Sequence, residues 1–125
     1  MNIHFSSATI QSYENKEKSM DLFYSPIVIF ENVDLSIVEQ LEDVKFILQS
    51  EQIGNVQLDI QSISIVSMQT CDNKVFLEFK LYKKNVLFQQ DNYVCKITLT
   101  AISETHKIEH SVVGIVKTKY SKGLI

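Results

Sequence analysis

Apolar and polar residues alternate along two long stretches in the second half of the chain. In the first stretch, every second position from 75 to 81 is apolar: Val75, Leu77, Phe79 and Leu81. The same alternation runs over residues 93–101. Because side chains on an extended backbone point to opposite faces in turn, a period of two is typical of strands with one buried face. We therefore expect the second half of the chain to be β-sheet.

Further strands are predicted elsewhere, over residues 3–12, 22–33, 56–65 and 108–119. Pro26 has no N–H group, so its strand must lie at a sheet edge or be split there. In the third segment the alternation slips by one residue, which predicts a β-bulge near Ser62 or a strand that crosses between sheets. Polar turns should join the strands at 56–65 and 75–82, and those at 93–102 and 108–119, as hairpins.

The period changes to that of a helix in residues 34–50. Apolar residues there are spaced by four, three and four positions: Ile37, Leu41, Val44 and Leu48. This spacing forms one stripe of a helix, and Ser36 with Glu39 matches a capping box. Residues 44–48 would be equally compatible with a strand. We expect one short helix around residues 35–50, and the pattern leaves its end open.

These elements predict a single mainly β domain over residues 1–125. Six to seven strands with antiparallel hairpins favour an antiparallel β-sandwich, with a partly open barrel as the second architecture. A curved antiparallel sheet around a longer helix is the alternative. The chain contains 45% hydrophobic and 22% charged residues, which is ordinary for a folded domain.

Charge and composition limit the class of partner. The net charge is −3, and all twelve basic residues are lysines. Without a basic patch, nucleic acid is disfavoured as a partner. Because the chain contains no arginine, it has no guanidinium group for bidentate binding of phosphate or carboxylate. No apolar run is long enough to cross a bilayer, and the N-terminus does not resemble a secretory signal. We therefore expect a cytoplasmic protein with Cys71 and Cys95 as free thiols.

One short motif suggests metal chemistry. Residues 106–110 have the spacing H-x-x-E-H, which places His106, Glu109 and His110 in the pattern of one metalloprotease motif. That motif binds zinc when a helix brings both histidines to one face. On the strand predicted here they would lie roughly 13 Å apart, at about 3.3 Å per residue. We therefore expect no metal site, no catalytic residues and no cofactor.

Apolar side chains on both faces of several strands suggest a protein interface. The candidate residues for that surface are Phe23, Tyr24, Phe76, Tyr82, Val113 and Ile115. A core formed by two layers would explain the same residues without a partner. Residues 112–116 could also form an exposed edge that pairs with a partner's strand.

One stretch resembles a known family over residues 93–115. The matching positions are Tyr93, Ile97, Leu99, Ala101, Glu104, Thr105, His110, Val113, Gly114 and Ile115. They resemble the paired central strands of the SecB-type export chaperones, although no segment corresponds to the C-terminal helices of that family. The resemblance implies a protein that binds extended apolar polypeptide.

We expect a non-enzymatic interaction protein or structural subunit of a larger protein assembly, such as a phage or a bacterial secretion machine. Its partners would be proteins, including further copies of itself. The alternative is a carrier or SecB-like chaperone that binds a small apolar ligand or an extended polypeptide. A metal hydrolase that uses His106, Glu109 and His110 is the third hypothesis.

Overall fold

The computed structural model describes residues 1–69, 72–87 and 91–119. In chain order its elements are β1 (Asn2–Phe5), β2 (Thr9–Glu14), β3 (Met20–Tyr24), β4 (Ile27–Glu31), α1 (Leu35–Glu39), β5 (Glu42–Ser50), β6 (Gly54–Gln69), β7 (Lys74–Val86), β8 (Asn92–Ile102) and β9 (Lys107–Lys119). The prediction of a mainly β fold with one short helix is therefore confirmed.

The sheet closes on itself as a barrel. Its ring of strands runs β7, β3, β2, β9, β8, β5 and β6, and β6 then pairs with β7 again. Within the ring β2 and β9 are parallel and the other neighbours are antiparallel. Outside the ring, β4 pairs with the first half of β7, and β1 pairs with β4. Of the two predicted architectures, the structure is the barrel, and it is closed rather than partly open.

Side chains fill the inside of the barrel. Phe46 lies at the centre of an aromatic group, with its ring centroid 5.0 Å from that of Phe79 and 6.2 Å from that of Tyr24. Aliphatic residues from β7 and β8 surround this group, and they come from the two stretches whose alternation is strongest. The interior is therefore a packed hydrophobic core, in which aromatic side chains bury the largest areas.

The helix prediction was right only at its start. The helix α1 has a single buried residue, Val38, and ends at Glu39. Its N-cap is Asp34 rather than Ser36, because the Asp34 carboxylate accepts a hydrogen bond from the Ser36 backbone N–H at 3.1 Å.

The second half of the predicted helix is the strand β5. Phe46 and Leu48 alternate into the core, where β5 pairs with β8 on one side and β6 on the other. A bulge precedes this regular part, and Asp43 has a positive φ of 50° there. Burial of alternate side chains in the closing ring outweighs the helical spacing of the same residues.

The remaining strand predictions differ from the structure mainly in their bounds. Residues 3–12 form two strands, β1 and β2, and the segment at 22–33 is split at Pro26 into β3 and β4. The predicted bulge near Ser62 is confirmed by a register shift between Ile60 and Ser62. Both predicted hairpins, β6 with β7 and β8 with β9, are present.

Candidate functional site

The strand β6 is paired differently along its two halves. Residues 54–58 pair with β5 on one side of the strand. Residues 59–69 pair with β7 on the other side. Along residues 59–69, the side turned away from β7 has no partner among the strands of the described ranges. We call this segment the β6 edge, and unpaired N–H and C=O groups of its backbone are available to another strand.

Three apolar side chains of the β6 edge extend the inner face of the sheet: Ile63, Ile65 and Met68. They stand directly opposite three core residues of β7: Phe79, Leu77 and Val75. Directly opposed residues share a face of the sheet, so these six side chains form one apolar surface. The β7 residues are buried, whereas Ile63, Ile65 and Met68 are 45%, 55% and 46% exposed. The core therefore ends at β6, because no described strand lies beyond it.

The outer face of the β6 edge carries serines and no charge from position 60 onward, and Val66 at the second bulge is 53% exposed. Ser62 stands opposite Lys80, and Ser64 stands opposite Glu78. No residue between positions 60 and 69 is charged, and none is proline. Edge strands are commonly protected by lysine, proline or bulges, and here only bulges are present, at Ile60/Ser62 and Ile65/Ser67. The edge is therefore amphipathic, and its single charged residue is Asp59 at its start.

Four of the predicted interaction residues lie on the outside of the barrel in two separate places. Phe23 is exposed on β3, where it contacts the ring of Tyr13 at a centroid distance of 5.8 Å and stands opposite Tyr82. Val113 and Ile115 lie on the outer face of β9, and Val113 is 76% exposed. The strand β2 separates the two groups, so they do not form one patch.

The other two predicted residues lie elsewhere. Phe76 is half-buried on β7, opposite Ser67 of β6. Tyr24 lies in the core, and its hydroxyl donates a hydrogen bond to the Ser7 carbonyl. Burial raises the pKa of Tyr24 well above its ordinary value, and the neighbouring Cys95 adds to the shift. Tyr24 is therefore not on the surface of the chain.

The segment predicted as a free edge, residues 112–116, is paired on both sides only in its last two residues. The backbone of β9 pairs with β8 along this segment, where Ile115 stands opposite Val94. On its other side Ile115 stands opposite Thr9 of β2, and its N–H donates to the Ala8 carbonyl at 2.9 Å. The prediction was wrong for residues 115 and 116, because the closing pairing, β2 with β9, joins segments from opposite ends of the chain. Residues 112–114 lie before that pairing begins and are paired with β8 alone among the described strands.

The H-x-x-E-H motif lies at the start of β9. His106 precedes the strand, and its Nδ1 atom is 2.7 Å from the Thr105 hydroxyl. Glu109 and His110 are consecutive strand residues, so their side chains point to opposite faces. His110 points inward and contacts the edge of the Phe5 ring, with centroids 5.1 Å apart. Because they point to opposite faces of the strand, the side chains of Glu109 and His110 do not converge on one ion.

Burial shifts the pKa values of the His110 imidazole and the Cys95 thiol. Burial lowers the pKa of His110, and the nearby His4 adds to the decrease. Burial raises the pKa of Cys95 to about 11, opposed by a hydrogen bond with the Gly114 backbone. Cys95 is a free cysteine and Cys71 lies outside the described residues. A buried thiol with a raised pKa is a poor nucleophile.

Comparison with known proteins assigns no family. No family model matches the chain, and no curated protein matches it. Among the helices of residues 1–69, 72–87 and 91–119, none has the length and apolar character needed to cross a membrane. The candidate site is therefore defined by its geometry alone.

The sequence contains a signal for the β6 edge. Residues 60–69 are free of charge and alternate serine with isoleucine at positions 62–65. This pattern predicts an amphipathic, uncharged strand in addition to the bulge near Ser62. The pattern does not specify which strands lie on either side of β6. It therefore does not predict which side of the strand is unpaired.

Proposed function

We propose that this chain is a non-enzymatic protein-interaction subunit of a larger assembly, and that it binds its partner by adding a strand to the β6 edge. The observation that carries the proposal is the combination of unpaired backbone with half-exposed apolar side chains along residues 59–69. In strand addition, main-chain hydrogen bonds provide affinity and alternate side chains provide specificity.

The energetics favour an extended partner at this place. Each new backbone hydrogen bond contributes only about 0.5–1.5 kcal/mol net. Burial of Ile63, Ile65 and Met68 adds more, at roughly 25 cal/mol for each Å² of apolar surface removed from water. A partner strand with apolar side chains at alternate positions would supply both contributions at once.

A carrier function has less support. The interior is occupied by Phe46, Phe79 and Tyr24 together with the aliphatic residues around them. A ligand enclosed by the barrel would have to displace these side chains. The proposal includes the cytoplasmic location expected from the sequence, where the free thiol of Cys95 would stay reduced.

The test is site-specific photo-crosslinking in cells that produce the full chain. Benzoylphenylalanine replaces Ile65 on the β6 edge, and as a control it replaces Phe23, which is 41% exposed and stands opposite Gln11 of β2 on one side and Tyr82 of β7 on the other. We expect protein adducts from position 65 and few from position 23. Equal yields at both positions, or no adduct at position 65, would contradict the proposal.

A further inference from the structure

We infer that the occupant of the β6 edge is a second copy of this chain, paired antiparallel to the first around a two-fold axis at Ser64. This inference rests on the proposed function and names its partner. A two-fold arrangement requires a surface that is complementary to itself. The β6 edge meets that requirement in charge and in the faces of its side chains, and the regular stretch between its bulges contains the central pairs.

Charge is the first argument. Residues 60–69 are uncharged, so two copies of the edge bring no like charges together. With the axis at Ser64, Asp59 of one copy lies near Gln69 of the other, and the two Asp59 carboxylates lie at opposite ends of the interface. A partner strand rich in charged residues would instead place its charges beside apolar side chains without counter-charges, at a cost in desolvation.

The faces of the side chains are the second argument. Directly opposed residues of an antiparallel pair lie on the same face of the sheet. An axis at Ser64 places Ile63 of one copy opposite Ile65 of the other on the inner face. The two Ser64 residues then face each other on the outer face. The apolar row that ends at β6 in one chain would continue into the inner face of the second chain.

The bulges define where the two copies pair. Register shifts lie between Ile60 and Ser62 and between Ile65 and Ser67. Residues 62–65 between them are paired without interruption to β7, and they form the regular part of the edge. With the axis at Ser64 the central pairs, Ser64 with Ser64 and Ile63 with Ile65, lie inside this stretch, and the next pair joins Ser62 to Val66 at the second bulge. An axis at Ile63 would place Gln61 opposite Ile65, which loses the apolar match.

The test is the mass of the particle in solution, measured by sedimentation equilibrium over a range of concentrations. We expect the wild-type chain to form a dimer, and Ser64→Lys to weaken it about tenfold or more because two lysines would meet at the axis. Within one chain the new lysine faces Glu78, so the fold should be retained. Ser111→Lys, at an exposed serine on β9, is the matched control and should leave the dimer unchanged.

Charge exchange makes the test specific for the axis. A mixture of Ser64→Lys and Ser64→Glu should restore a dimer that contains one of each chain. A wild-type chain that stays monomeric at all concentrations would overturn the inference, as would equal weakening by Ser64→Lys and Ser111→Lys. If Ser64→Lys does not fold, as judged by circular dichroism, the wild-type concentration series decides alone.

The same outcomes separate this inference from the proposed function. An adduct from position 65 with the mass of two chains supports both. An adduct with a different protein, together with a monomeric wild-type chain, overturns the inference that the occupant is a second copy. The proposed interaction function is then retained. No adduct from position 65 overturns both.

Discussion

The two halves of β6 carry the same kind of side chain into different surroundings. In the first half, Leu58 stands opposite Phe46 of β5 and is fully buried. In the second half, Ile65 stands opposite Leu77 of β7 and is 55% exposed. Both are aliphatic residues on the inner face of one continuous strand. The difference between them comes from the neighbouring strands, since the barrel covers Leu58 from across the core and no strand of residues 1–69, 72–87 and 91–119 lies beyond the β6 edge.

This comparison separates what stabilises the fold from what is available for function. Residues inside the closed ring contribute to the free energy of unfolding, because their apolar surface leaves water only in the folded chain. Residues of the β6 edge keep about half of their surface in water, so a partner can still bury it. Substitutions in the two regions should therefore differ in stability and in association.

The largest expected effect is the difference between Leu58→Ala and Ile65→Ala. We expect Leu58→Ala to lower the free energy of unfolding by about 2–5 kcal/mol, since it leaves a cavity in the core. Ile65→Ala should cost about 1 kcal/mol or less, since its side chain is half-exposed. Chemical denaturation should be measured with Ser64→Lys present in both variants, so that association does not contribute. Similar losses for both variants would remove the distinction between the two halves.

A smaller effect is expected where the ring closes between β2 and β9. A Cβ atom added at Gly114 would lie 2.4 Å from the Ala8 carbonyl oxygen and 2.7 Å from the Ile97 Cδ1 atom. Gly114→Ala should therefore destabilise the chain by about 1–3 kcal/mol through overpacking. The neighbouring Val113→Ala should change stability by less than about 0.5 kcal/mol, because Val113 is a surface residue. Thermal unfolding of the two variants measures both values, and an unchanged Gly114→Ala variant would contradict the close approach of the strands.

The smallest expected effect is a dependence of stability on pH at the inner face of β9. Burial, with a contribution from His4, lowers the pKa of His110 below its ordinary value of 6.5 in the folded chain. Above that value the imidazole is neutral in both states and has no effect. As the pH falls through 6.5 the unfolded chain binds a proton more readily, so stability should decrease until the folded pKa is reached.

The comparison with His110→Gln isolates this contribution. The substitution should remove part of the loss of stability between neutral and acidic pH, and His106→Gln, at an exposed position, should not. Urea denaturation at a series of pH values measures the difference. If the free energy of unfolding depends on pH in the same way for wild type and His110→Gln, burial does not lower the pKa of His110.

The candidate site was only partly predictable. Of the residues predicted for the interaction surface, Phe23 and Val113 are among the exposed large hydrophobic residues. The sequence placed Tyr24 on the surface, although the ring lies inside the barrel, because a period of two does not distinguish inside from outside when both faces are apolar. It did not predict the β6 edge, because an unpaired edge is defined by a strand that is missing next to it.

The sequence by itself determined the mainly β fold, the bulge near Ser62 and the two long hairpins, because alternation and turn composition act over a few neighbouring residues. Only the tertiary structure decided that residues 42–50 are a strand, that β2 and β9 close the ring in parallel, and that residues 59–69 remain an edge. Those features depend on contacts between segments far apart in the chain. The free energy of such contacts is set by which surfaces meet, and the local pattern does not contain that information.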